Sequence, residues 1–427
     1  MEIYEVKQGD TIQGIAEKYG VSVDKILQDN GLLSANDLVN GQSVVIAYPK
    51  QSYIVKEGDT LFDIARLYNV SIVQLLANNP FLAERQYIYP GDHLVISYET
   101  KKKITTHGNS PPNINKLILR KTLPFLTYLS VLNFTATTEG GIKSYYDDTE
   151  IIRIAKEYGV APLMLLTTLT ITGDANIRVA FDLLLNEEYQ NNQIENILKI
   201  LKERGYFGLN LSLQYMSISN LKYYESYFKK VVERLNSEGY PVFLTVVPEL
   251  PTNQNNVDFE KIDYSILDQL AYNIIFMSYE WATKITPPSP ISSYNVNSAF
   301  LNYILQYIPP EKIILGIATI GYDWELPFVP GLSNVNSISL KNVYNLARDV
   351  GGDIKYDEVS QSPYFSYSIN KVQHIVWFIN SKSINASLEL VSQYNLSGIS
   401  IWNITIFNPE LWLIINAQYE IEKVEGI

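Results

Sequence analysis

Apolar residues recur with two different periods along this chain. Across residues 206–214 the period is two: Leu209, Leu211 and Leu213 point one way, and Asn210, Ser212 and Gln214 the other, as in a strand with unlike faces. The segment before it carries Ile194, Ile197, Leu198 and Leu201 at the 3.6-residue spacing of an amphipathic helix, which stops at Arg204-Gly205. A strand between two helices usually reads as an unbroken apolar run, because both of its faces are buried. Three uncharged polar residues in file therefore need a reason. Either the strand lines a wet barrel interior, or it marks a former or altered active site; the second reading is preferred here.

The first hundred residues repeat. Tyr4-Glu-Val-Lys-Gln-Gly-Asp-Thr returns as Tyr53-Ile-Val-Lys-Glu-Gly-Asp-Thr, and the match runs on through Tyr19/Tyr68, Ile26/Leu75 and Asn30/Asn79 to Gly41/Gly91. Each unit reads as a short strand, a Gly-Asp-Thr turn, two helices and a closing strand. Asp10 and Asp59 are the expected N-caps of the first helices, and Ser22 and Ser71 open the second. This pattern resembles the LysM domain, a βααβ module, over residues 2–48 and 51–97. The resemblance implies binding of N-acetylglucosamine-containing glycans such as peptidoglycan or chitin. It places Gly9, Asp10, Thr11, Asn30 and Gly31 at the groove of the first unit, and Gly58, Asp59, Thr60, Asn79 and Pro80 at that of the second. Two weak sites on one chain gain through effective concentration when the target is a repeating polymer. The run Lys101-Lys-Lys103 reads as a solvated linker.

Beyond it, strand-like runs at 103–106, 126–133, 162–168, 207–213, 241–247, 273–279, 312–320 and 398–404 alternate with helical patterns such as 149–158, 220–236 and 337–349. Eight such units over residues 103–427 predict an α/β fold, a (β/α)8 barrel. A Tyr- and Ser-rich stretch at about 353–376 reads as a small β-rich insertion before the last unit. Barrel sites lie at the C-terminal ends of the strands. The residues there are Ser212 and Gln214, Glu249, Tyr279-Glu280-Trp281, Tyr322-Asp323-Trp324 and Trp402. Flat aromatic faces at strand ends suit the packing of sugar rings.

Composition narrows the partners. A net charge of −12 argues against nucleic acid or an anionic membrane. With no cysteine and three scattered histidines (His93, His107 and His374), neither thiol chemistry nor a metal site is expected, and no cofactor is called for. The N-terminus lacks the basic start and apolar run of a secretory signal, so delivery outside the classical secretion route is expected. No apolar run approaches the roughly 18–20 residues that span a bilayer.

The barrel resembles glycoside hydrolase family 18, and within it the LysM-bearing spore cortex-lytic N-acetylglucosaminidases of endospore-forming bacteria. The residues carrying this are Tyr128-Leu-Ser-Val-Leu132, Arg204-Gly-Tyr-Phe-Gly-Leu-Asn210, Met277-Ser-Tyr279, Gly321-Tyr-Asp-Trp-Glu-Leu-Pro327, His374-Ile-Val-Trp-Phe378 and Gly398-Ile-Ser-Ile-Trp402. That family carries D-x-x-D-x-D-x-E on its fourth strand, the Glu being the general acid of a substrate-assisted, retaining reaction. Aligned on Gly208, the signature falls on Phe207, Asn210, Ser212 and Gln214, with Gln214 at the position of the acid and Ser212 at that of the Asp. No carboxylate occupies any of them. The resemblance also puts Tyr279 on the acetamido group, Trp402 under the cleaved sugar, and Glu280 where an Asp usually follows that Tyr. Asn210, Glu249, Tyr322 and Asp323 complete the expected substrate contacts.

The leading expectation is thus a glycan-binding protein of the spore cortex or cell wall whose barrel is inactive or strongly attenuated. An active N-acetylglucosaminidase using Glu249, Glu280 or Asp323 as a relocated acid is the alternative. A spore-coat assembly role is the third.

Overall fold

The computed structural model describes residues 1–34, 38–85, 87–169, 176–212, 217–250, 257–279 and 285–427. Its first two units are small modules, each closed by an antiparallel strand pair. β1 (Glu2–Glu5) pairs with β2 (Ser43–Ile46), and β3 (Gln51–Ile54) with β4 (His93–Ser97). Thr11 and Thr60 cap the first helices, accepting from Gly14 N and Asp63 N, while Ser22 and Ser71 cap the second. The capping role expected of Asp10 and Asp59 is thereby corrected by one residue. Each carboxylate instead holds the preceding turn, accepting from a backbone N–H (Lys7 or Lys56) and from a tyrosine hydroxyl (Tyr4 or Tyr53). The same tyrosines meet Tyr19 and Tyr68 edge-on, at 5.6 and 5.7 Å.

The polypeptide then builds a closed barrel of eight parallel strands. In order around it these are β5 (Lys102–Ser110), β6 (Tyr128–Ala136), β8 (Ala161–Thr167), β9 (Gly208–Ser212), β10 (Val242–Val246), β11 (Asn273–Phe276), β12 (Ile313–Ala318) and β18 (Gly398–Trp402), which returns to β5. The short β7 (Ile142–Ser144) folds back on β6, and β19 (Tyr419–Ile421) pairs with β5 at the chain's end. All eight strands expected from the sequence form. The run Lys101–Lys103 is not the linker expected: Lys102 and Lys103 already belong to β5 and pair with Tyr419 and Glu420.

Amphipathic helices cover the outside. Thr149–Glu157 buries Ile151, Ile152, Ile154 and Ala155, and Leu221–Asn236 buries Tyr224, Tyr227, Phe228 and Val231 on the barrel wall. Between β12 and β18 lies a five-stranded antiparallel sheet larger than the 353–376 insertion expected. It comprises β13 (Ile320–Leu326), β14 (Val335–Ser339), β15 (Lys355–Asp357), β16 (Ser362–Ile369) and β17 (Val372–Trp377). One face, with Tyr322, Trp324 and Trp377, packs on the barrel core; the other, with Phe365 and Val376, is covered by the helix Leu340–Asp349. The helical reading of 337–349 ran three residues too far, because Ser337 to Ser339 belong to β14.

The helix Pro409–Asn416 ties the modules to the barrel. Its Leu411, Trp412, Ile414 and Ile415 are all buried, Trp412 stacking on Phe125 at 5.2 Å. Asn416 donates to Asn78 Oδ1 of the second module at 2.7 Å, and Pro409 sits against Gly31 of the first. Val45 and Ala77, one from each module, join the barrel's own core.

Candidate active site

A hydrogen-bonded belt crosses the middle of the barrel. His107 Nδ1 is 2.7 Å from Ser400 Oγ and its Nε2 is 2.7 Å from Ser130 Oγ; Asn210 donates to Ser130 Oγ at 2.9 Å and accepts from Thr245 Oγ1 at 2.8 Å. The belt therefore joins β5, β18, β6, β9 and β10. Burial holds the His107 imidazole down to about 3, so it is neutral and uses one nitrogen as donor and the other as acceptor. A network satisfied in this way is tolerated where an unpaired polar group would cost about 1–3 kcal/mol. Asn210, expected to contact substrate, is fully buried with both ends of its amide engaged. Its place is in the belt. The polar file on β9 is, at this residue, a barrel-interior feature.

One step nearer the C-terminal ends of the strands lies Ser212, two residues on from Asn210 and so on the same inward face. It is in register with Thr167 and Thr245. Gln214, Glu280 and Trp281 lie outside the described residues. Tyr279 follows β11 and packs over Gly316 of β12, where an added Cβ would come within 3.0 Å of its ring. Burial, with Tyr322 beside it, holds the Tyr279 phenol well above its usual range. Tyr322 leads in from the insertion sheet, its ring 5.7 Å from that of Trp324. Trp402 ends β18 half-buried, opposite Ala318, and its carbonyl accepts from Thr319 Oγ1 at 3.3 Å. Strands β9, β11 and β18 thus bring Ser212, Tyr279 and Trp402 to one end of the barrel.

The other carboxylates expected here are placed differently. Asp323 lies on the opposite face of the insertion sheet from Tyr322, accepting from Tyr367 Oη at 2.7 Å with His374 Nδ1 at 3.1 Å. The Tyr367 ring stacks on His374 at 4.6 Å, and its phenol is pushed up by burial and by Asp323. Asp323 is therefore committed to a local triad turned from the aromatic face. Glu249 is exposed on the segment after β10.

In the modules, Asn30 and Asn79 are buried clamps. Each side chain donates to a helix carbonyl (Ile26 or Leu75) and exchanges two bonds with a strand residue (Val45 or Val95). Only 6% and 2% of their surface is exposed, and both amides hold helix to strand. Gly9 and Gly58 take φ values of +88° and +86° that favour glycine, in exposed turns beside Thr11 and Thr60. Pro80 opens the short helix after Asn79, while Gly31 faces the barrel.

Sequence reasoning missed the belt and a stacked pair, Tyr364 on Trp377 at 4.6 Å, on the barrel-facing side of the insertion sheet. A signal for the belt existed. Thr105, His107 and Asn109 alternate as Asn210 and Ser212 do, but the strand read at 103–106 stopped before His107 and Asn109.

The comparisons agree with this architecture. Residues 121–406 match glycosyl hydrolases family 18, and residues 4–47 and 53–97 each match the LysM domain. The chain is 33% identical over 430 residues to the cortical fragment-lytic enzyme of Bacillus anthracis, covering 99% of each protein. It is 30% identical over 431 residues to the enzyme of the same name from Bacillus subtilis, again over 99% of both. The crystal structure of the Bacillus cereus spore cortex-lytic enzyme SleL superposes with a TM-score of 0.80 at 30% identity, covering 99% of this chain and 98% of that one. With the LysM pair, the eight-stranded barrel and a family match over two thirds of its length, this chain belongs to glycosyl hydrolases family 18.

Proposed function

We propose that this protein binds N-acetylglucosamine-containing glycan of the spore cortex through its two LysM modules (2–48 and 51–97) and through the cleft of its barrel (103–427), and that the barrel does not cut what it holds. The observation that carries this reading is chemical. Asn210, Ser212 and Gln214 stand where the family's acidic signature falls, and none is a carboxylate. Gln214 can hydrogen-bond a glycosidic oxygen but has no proton to give, and Ser212 brings no charge to steady a cationic intermediate. Loss of a positioned general acid costs roughly 10²–10⁴ in rate, and loss of an electrostatic stabiliser about another 10²–10³. Tyr279, Tyr322 and Trp402 remain as surfaces for the acetamido group and sugar ring.

The alternative is a working N-acetylglucosaminidase with a relocated acid, favoured by the lytic names of the full-length relatives. It asks most of Asp323, which is held by Tyr367 and His374, and leaves Glu249 and Glu280 as candidates. The deciding experiment compares the natural protein with the Ser212→Asp/Gln214→Glu variant on cortex fragments. Reducing-sugar release only by the double variant is expected. Release by the natural protein at rates comparable with the lytic relatives would overturn the reading.

A further inference from the structure

The five-stranded insertion sheet ends on β14, which pairs with β13 on one side and, among the described residues, with no strand on the other. The register decides which of its backbone groups are left over. Glu325 N–H donates to Asn334 O. In the alternation of an antiparallel pair, Asn336 and Ile338 therefore turn their N–H and C=O groups to Asp323 and Gly321. Val335, Ser337 and Ser339 turn theirs outward, and among the described residues nothing accepts from the N–H of Ser337 or Ser339. Edges of this kind are usually blunted by proline, lysine or a bulge. Val-Asn-Ser-Ile-Ser has neither residue, its register with β13 is unbroken, and Asn336 and Ser337 are exposed.

The edge does not lie open on all sides. Beside Ser337–Ser339, in the seam between the first module and the barrel, is a space of about 580 Å³. Residues 403–408 and the module's Leu32 and Leu33 form its far wall, and Asn30 and Gly31 border it. A recess walled in this way admits one extended chain but not the sheet of a second copy. At its inner end the helix Leu340–Asp349 begins, with Ser339 as an N-cap whose side chain caps nothing. Leu340 and Lys341 line the same space. Unmet N–H groups at a helix start, with a lysine beside them, favour a carboxylate.

We propose that β14 is a docking edge for an extended segment of another protein, which adds a sixth strand to the insertion sheet and sets a side-chain carboxylate against Lys341 and the start of the helix Leu340–Asp349. The backbone pattern selects the occupant. A ladder to Val335, Ser337 and Ser339 needs consecutive residues in extended conformation with an amide at each, which a sugar chain does not supply. The proposal stands apart from the glycan reading and gives the protein a second kind of partner.

The test follows, by fluorescence anisotropy with the full-length protein, a fluorescein-labelled six-residue peptide of alternating threonine and valine with one central aspartate. Ser337→Pro removes an outward N–H and leaves the ladder to β13 intact; Ser337→Ala keeps that N–H. The proline variant is expected to bind about tenfold more weakly, and the alanine variant to match the natural protein. Lys341→Gln is expected to weaken the aspartate peptide and not its asparagine counterpart. If Ser337→Pro lowers the melting temperature, the same peptide N-methylated at every second residue carries the test, since it should lose binding to the natural protein. No binding of the probe at about 1 mM protein, or equal binding of the N-methylated peptide, would overturn the docking edge. So would chitotetraose binding that Ser337→Pro weakens, which would assign the recess to the sugar.

Discussion

The two LysM modules share a fold, a tyrosine-held turn and an asparagine clamp, yet they meet the barrel through different faces. Pairs of matched positions tell them apart. Asp29 of the first module pairs with Lys25 at 2.7 Å, whereas its counterpart Asn78 is buried against Asn416 of the barrel. Asp92 of the second module pairs with Arg85 at 3.0 Å, whereas its counterpart Gln42 is fully buried in the seam beside Glu410. In each matched pair one module has a buried amide and the other a carboxylate held by a cation of its own module, and even so burial raises the Asp29 carboxyl. The reason is desolvation: a buried carboxylate without a cation costs several kcal/mol, while an amide of the same shape keeps the hydrogen bonds without the charge.

The sharpest way to break the comparison uses the matched glycines. Gly41 and Gly91 both have positive φ, but an added Cβ at Gly41 would lie 2.0 Å from Ile354 O, while at Gly91 nothing lies within 4 Å. Gly41→Ala should destabilise by about 3–4 kcal/mol, backbone strain plus loss of docking, and Gly91→Ala by only about 1 kcal/mol from the strain. Urea unfolding of the two variants measures the difference. Limited proteolysis should release the first module from the Gly41 variant alone.

Asn30→Ala and Asn79→Ala should do the reverse and erase the distinction. Both leave buried backbone groups of helix and strand unpaired, and each should lose about 3 kcal/mol by the same measurement. A gap larger than about 1 kcal/mol between them would mean that docking, not the clamp, sets the cost.

The smallest effect is a pH dependence confined to the first module's seam. Burial pushes the Glu410 carboxyl up to about 7, with Ser381 donating to it and Tyr344 nearby. A raised carboxyl favours the protonated form in the fold. Its contribution is therefore complete below the ordinary value near 4.5 and is lost as pH rises through about 7. Stability should fall by about 2 kcal/mol between roughly pH 5 and pH 7, and Glu410→Gln should flatten that slope in thermal melts across the range.

Much of this was legible in the sequence, for identifiable reasons. The module repeat and the eight strands declare themselves because burial on a strand or a helix face imposes a period. The insertion sheet was half-seen: β16 and β17 alternate visibly, but Ile320–Leu326 continues so closely from β12 that the two merge into one apolar run. Site residues were harder. Asp10, Asn30 and Asn210 are polar residues in places where ligand contact and structural hydrogen bonding leave the same mark on a single sequence. Only the partners (Lys7 N, Val45 and Ser130) separate the two.

The helix Pro409–Asn416, wedged between both modules and the barrel, also bears on how the protein measures its target. Tandem binders joined by slack tethers tolerate any spacing within reach of the linker. Here the gap between the two modules is a fixed gauge. On the glycan-binding reading, engagement by both at once would select polymer whose repeat and curvature fit that gauge, and a lattice stretched or crosslinked out of step would be gripped by one jaw only.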